Sequence, residues 1–238
     1  MAETTGLPAP VRERLAALTA EIAADPARIA TAFPAAARRA GRGPGPSGDP
    51  AGIAGPTLDD LVRGELLAAL AKAVPADRLA AETADLYRYG DSDEKRAVLR
   101  ALPRLGLPDA AVAPLLADAL RGNDPRLLAA ALGTPAAAAL DDAAWRHGVL
   151  KCLFTGVPVG ALALVAERAD AELARMVADH AVERIAAGRD VPADAWPLLA
   201  GHPAHRAAVE RAAADRAAAP APAPGAARPA PDHPRKEA

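Results

Sequence analysis

A chain of 238 residues, 51% of them hydrophobic, is long enough for one sizeable core or two small ones and needs no covalent or metal staple to fold. Its 28 basic and 30 acidic residues leave a formal net charge of -2, which sets up no field for a polyanion and argues against nucleic acid as a partner. The single cysteine, Cys152, excludes an internal disulfide framework and a multi-cysteine zinc or iron–sulfur site.

From Pro10 to Ala24 the apolar residues Val11, Leu15, Leu18 and Ile22 recur at helical spacing and predict a first amphipathic helix. Pro26 restarts the chain, and Ala27 to Ala40 forms a second helical piece that passes through Pro34 and ends on the basic turn Arg38-Arg39. Residues 1–40 are thus an N-terminal helical segment. Their charges alternate with alanine, without the continuous apolar centre of a secretory signal. No stretch offers the roughly 20 apolar residues of a membrane span. Leu150 to Val165 comes nearest, and Lys151, Gly156, Pro158 and Gly160 interrupt it. No transmembrane segment is expected, and the cytoplasm is the expected location.

Gly41 to Pro56 is so rich in glycine and proline that it reads as a flexible surface loop, residues 41–56. A phosphate-cradling loop would need a lysine followed by serine or threonine and a preceding apolar strand, and has neither.

A helical domain is expected over 57–218. Thr57 caps a helix carrying Leu58, Leu61, Val62, Leu66 and Leu70, and Pro75 begins another that runs toward Tyr87. Asp91-Ser92-Asp93 caps the next. After Leu107-Pro108, Val112, Leu115, Leu116, Ala119 and Leu120 keep helical spacing. Gly122-Asn123-Asp124-Pro125 is a turn, Gly133-Thr134-Pro135 divides a short helix from an alanine-rich one, and Asp141 opens the helix of Trp145. Ala161 to Val165 reads as a further helical turn or two, Asp170 to Ala187 as a long helix stopped by Gly188, and Pro203 as the start of the last helix. Residues 219–238 form a proline–alanine tail with nothing to bury and are expected to be disordered.

Short helices in succession with brief connections give an all-α fold, an α-hairpin stack resembling HEAT-like repeats, with a globular helical bundle as the alternative. No segment alternates as a strand would. A HEAT-like DNA-binding module would need a basic groove that the balanced charge does not provide.

Trp145, Val149, Cys152 and Leu153 share one face of their helix, while His147 and Lys151 stack one turn apart on the other. This pair could serve as a base or grip an anion, or simply form a polar helix face. His180 and Arg184 fall beside the stripe of Leu173 and Val177, as pocket residues or as a satisfied core histidine and a snorkelling arginine. Asn123, in its turn, suits a ligand carbonyl or a local backbone bond. These five residues are the binding candidates. Catalytic residues and cofactors are not specified by any motif. Asp59-Asp60 and Asp141-Asp142 lack the further aspartate of a magnesium–diphosphate site, Arg63 and Trp145 standing in its place, and read as carboxylates facing helix starts. His202 and His205 have no third ligand nearby, so no metal site is expected. Cys152, on an apolar face, reads as an inert buried thiol.

The ordered series LYRYGDSDEKRAVLRALPRL, LLADALRGND, LDDAAWRHGVLKCLFTGVPV and ERADAELARMVADHAVERIAAGRDVP resembles the EboA family over approximately Leu58 to Leu199, most closely from Leu86 to Pro192. The resemblance implies an all-helical bacterial protein encoded beside a prenyltransferase-like membrane enzyme, a metal-dependent hydrolase-like protein and sugar-phosphate isomerase-like proteins. Such clusters make or export secondary metabolites. It carries over no catalytic residues, and the turn GTPAAA at Gly133 to Ala138 departs from the polar, aromatic-containing turn expected of relatives. The favoured reading is a helical scaffold or binding protein of such a cluster, which holds a partner protein of the same cluster or a small metabolite precursor on the face containing His147 and Lys151. The alternative is an enzyme acting on a phosphorylated or prenylated metabolite through His147 and Lys151.

Overall fold

Alanine and leucine favour helix at almost every position, and acidic or hydroxyl side chains supply the caps that decide where each helix begins. Thr57 and Asp91 each close a capping box, Thr57 with Asp60 and Asp91 with Glu94, and Asp124, Asp141 and Asp170 accept a backbone N–H at the starts of later helices. The computed structural model describes residues 7–218, so the expected tail at 219–238 lies outside the described residues. Among the described residues the fold is all-α, with no strand.

The α-helices are α1 (Ala9–Ala24), α2 (Ile29–Arg39), α3 (Leu58–Ala73), α4 (Ala76–Tyr89), α5 (Ser92–Ala101) and α6 (Asp109–Arg121). They continue with α7 (Pro125–Leu132), α8 (Asp142–Thr155), α9 (Val165–Arg168), α10 (Ala171–Ala186), α11 (Ala195–Leu199) and α12 (Pro203–Ala218). Helices α3, α5 and α7 lie side by side in one row, and α4, α6 and α8 make a second row against it. Helices α1 and α2 cover the free side of α3, and α10 carries the sequence onward from α8 to α11 and α12.

One continuous core runs from Leu7 to Val209. Its large members are aliphatic, with Phe33, Tyr87 and Trp145 the aromatic exceptions. The Tyr87 hydroxyl donates to Asp118 at 2.9 Å and so pins α4 to α6, and burial together with that carboxylate raises the phenol above its ordinary pKa. Trp145 is buried beneath the Arg168 guanidinium, and Trp196, only partly buried, lies beneath that of Arg206.

Two local expectations change. The alanine-rich stretch after Gly133 is a 3-10 helix of five residues, Pro135–Ala139, rather than an α-helix. The helical turn expected at Ala161 to Val165 is split in two by Leu164, whose φ of 62° is left-handed and ends one turn before α9 begins. The preceding backbone docks on α7, with Ala163 N donating to Leu132 O at 2.8 Å.

Candidate functional site

Sequence separation hides a buried polar cluster where α3 meets α5. Asp59, Asp60 and Arg63 project from the first turns of α3, and Arg96 and Arg100 from α5. All but Arg100 are at least 97% buried. Arg96 Nε donates to both Asp60 oxygens, at 3.0 and 2.9 Å, its Nη1 to Asp93 at 2.7 Å and its Nη2 to the Thr57 hydroxyl at 3.1 Å. Arg63 Nη1 donates to Asp59 at 2.8 Å and its Nε to the carbonyl of Phe33 at 3.2 Å, while its guanidinium lies over the Phe33 ring. Burial alone would depress Arg96, but its bonds to Asp60 and Asp93 outweigh this and raise its pKa. Charges this deep persist only when paired and hydrogen-bonded, and here each carboxylate has a guanidinium.

The glycine- and proline-rich segment 41–56 is irregular and folds over the same cluster. Asp49 accepts from the backbone N–H groups of Ala51, Ile53 and Ala54 at 2.7–2.8 Å, chiefly Ala54, which holds its carboxyl below the ordinary value. Arg100 Nη2 donates to the carbonyls of Gly52 and Ile53, so α5 holds the loop.

Most of the sequence-derived candidates gather elsewhere, at the seam of α6 and α8. A groove of about 450 Å³ is walled by Ala117, Leu120, Ala144, Gly148, Leu150 and Phe154, with Arg121, His147 and Lys151 completing its lining. Phe154 is 57% exposed, unusual for a phenylalanine in this chain, where Phe33 is fully buried. Gly148 lets the helices approach this closely, since a Cβ there would meet Leu132 at 2.9 Å and Leu120 at 3.1 Å. Lys151 Nζ donates to the carbonyls of Leu120, Arg121 and Gly122 at 2.7, 3.3 and 3.1 Å, closing the C-terminus of α6. His147 Nδ1 is 2.8 Å from the Ala143 carbonyl of its own helix. Asn123, exposed, follows Gly122, whose carbonyl Lys151 binds, and is not among the residues that line the groove. His180 sits behind Phe154, ring centroids 4.0 Å apart, with its Nε2 buried and unpartnered. Burial foremost, then Arg184, lowers its pKa. Arg184 lies apart, donating to the Asp190 carbonyl at 2.7 Å beyond the end of α10.

Cys152, His202 and His205 are separate from both places. Burial pushes the Cys152 thiol up to about 12, which leaves it un-ionised and unreactive. His202 and His205 stand 6.3 Å apart by ring centroid, and among the described residues no group of three or more metal-ligating side chains converges.

The sequence places Asp59 and Asp60 at a helix start. Asp60 serves that start through its capping box with Thr57, yet both are also the acids of a buried ion-pair network. The one available signal was Arg63, one turn after Asp59 and on the same face. Arg96 and Arg100 gave none, being more than thirty residues away.

No curated protein and no solved structure matches the chain. The model of the family described as metabolite traffic protein EboA matches residues 55–200, which takes in the α3–α5 network and the α6–α8 groove alike. With more than half of its length matched, the chain belongs to the EboA family.

Proposed function

We propose that this protein is a binding component of a bacterial secondary-metabolite cluster, an α-hairpin stack that holds a small precursor and presents it to a partner protein encoded alongside. The precursor's apolar body lies in the groove between α6 and α8, and its polar end lies beside His147 and in the field of the Lys151 ammonium at the rim. The observation that carries this reading is Phe154, more than half exposed on the wall of an apolar groove of about 450 Å³, a volume within the range of small-molecule sites. The paired rows of helices support the stack.

Binding is favoured over catalysis by the hydrogen bonds of the pair itself. Lys151 serves three carbonyls of α6, and the Nδ1 of His147 faces a carbonyl of its own helix, so neither group orients or activates the other. The family's description, metabolite traffic, agrees with a role in holding and passing on.

The test uses 1-anilinonaphthalene-8-sulfonate, which joins an aromatic body to an anionic end, as a fluorescent reporter on the native chain. Saturable binding is expected, at least about tenfold weaker in Ala117→Trp, which fills the groove from α6. Equal binding by both proteins, with their melting curves alike, would overturn the assignment of the groove.

A further inference from the structure

A second cavity, of about 190 Å³, lies between α3, the end of α5 and the turn after α7. Asp60, Gly64, Arg100, Arg104 and Thr134 are among the residues that line it. Two of these residues, Arg100 and Thr134, have a polar atom that the protein leaves unmatched. Arg100 spends Nη2 on the loop carbonyls of Gly52 and Ile53, but its Nε is buried without a hydrogen-bond partner. The nearest carboxylate, Asp60, is 3.9 Å from that nitrogen and already accepts from Arg96 with both oxygens. Burial foremost lowers the pKa of Arg100, with the adjacent Arg96 adding to it and Asp60 and Asp49 opposing it. The hydroxyl of Thr134 is likewise buried and unpartnered. Buried polar groups left in this state are uncommon and ask for an explanation.

Gly64 supplies an independent observation. It occupies the interior of α3, where glycine is a poorer helix former than alanine. Packing does not require it, because a Cβ would make only ordinary contacts, with Arg104 Nη1 at 3.7 Å and Ala101 Cβ at 4.0 Å. What the missing side chain provides is space in the cavity beside the arginines.

We propose that this cavity is an oxyanion site, which takes a phosphate or carboxylate group of a small metabolite between Arg100, Arg104 and Thr134, with Gly64 as its floor. A guanidinium presents five N–H donors in a planar fork and serves several acceptors at once. Arg104, whose Nη2 holds Glu65 at 2.5 Å, is thereby steadied as the second cation of the wall. The site does not depend on the α6–α8 groove, and different variants report on each.

The full chain is titrated with inorganic phosphate and, separately, with acetate, at constant ionic strength set by chloride, following heat of binding and Tm. Saturable binding with a rise in Tm is expected for at least one anion: phosphate alone identifies a phosphoryl site, acetate alone a carboxylate site, and both a general oxyanion site. Gly64→Leu, which keeps every charge but fills the floor, should weaken that binding at least about tenfold, and Thr134→Val by about tenfold. Gly64→Ala should raise Tm in chloride by about 2 °C, because the helix gains where nothing is displaced. Wild-type protein without a saturable response to either anion overturns the site. So does a response that Gly64→Leu leaves intact; should that variant fail to fold, unchanged affinity in Thr134→Val does the same.

Discussion

His180 shows how a single side chain can carry a pH signature. Its ring packs on Phe154 with Nε2 sealed from water, and burial first, then the charge of Arg184, hold its proton affinity down, while Glu183 acts in the opposite sense. In the unfolded chain the imidazole titrates near its ordinary value of about 6.5. As pH falls through that value the unfolded state takes up the proton before the folded state does, so stability is full above it and declines below. The expected result is a Tm that drops between about pH 7 and 5, with a smaller drop in His180→Phe, which keeps the contact with Phe154 and cannot titrate. An identical pH dependence in the variant would show that His180 is not the group responsible. The other candidates gain definition at this scale too. Lys151 is the cap of a neighbouring helix as well as a rim cation, and Arg184 is a clamp on the chain after α10.

Between elements, the strongest single tie is Arg96, which joins α5 to the first turn of α3 through Asp60 and Thr57. Arg96→Met should cost about 3–5 kcal/mol, since the buried carboxylate of Asp60 would lose the guanidinium that hydrogen-bonds it and keep only Arg100 at 3.9 Å. Urea titration of the two proteins checks this, and a loss under about 1 kcal/mol would mean that the network adjusts without it. Helix existence and helix starts were legible in the sequence, because capping and periodicity are local: Thr57, Asp91, Asp141 and Asp170 stand at helix starts as their chemistry dictates. The placement of His147 and Lys151 on one face was legible for the same reason. The charge network was not, because Arg96 lies 36 residues from Asp60 and arginines of that kind are normally solvated. Nor was the split at Leu164, a left-handed leucine that only the docking of Ala163 onto α7 explains.

For the molecule as a whole, the matched region 55–200 packs against α1 and α2, which lie outside it. Ile29, Phe33 and Ala36 of α2 are fully buried, and Phe33 supplies both a carbonyl and a ring face to Arg63. Removing residues 1–40 should therefore strip the cover from α3 and leave Arg63 with one partner fewer, giving a chain that aggregates or melts without cooperativity. Size-exclusion chromatography and circular dichroism decide it: a monomer that melts at the full-length Tm would show that α1 and α2 are an appendage. The two tryptophans add a practical consequence. Trp145 lies sealed beside the α6–α8 seam and Trp196 half-sheltered in the C-terminal helices, each beneath an arginine. Their emission should differ in colour and in access to a quencher such as iodide, so the native chain carries two intrinsic optical probes. One watches the core beneath α8 and the other the C-terminal helices, and a single spectrum tells which of the two loosens first.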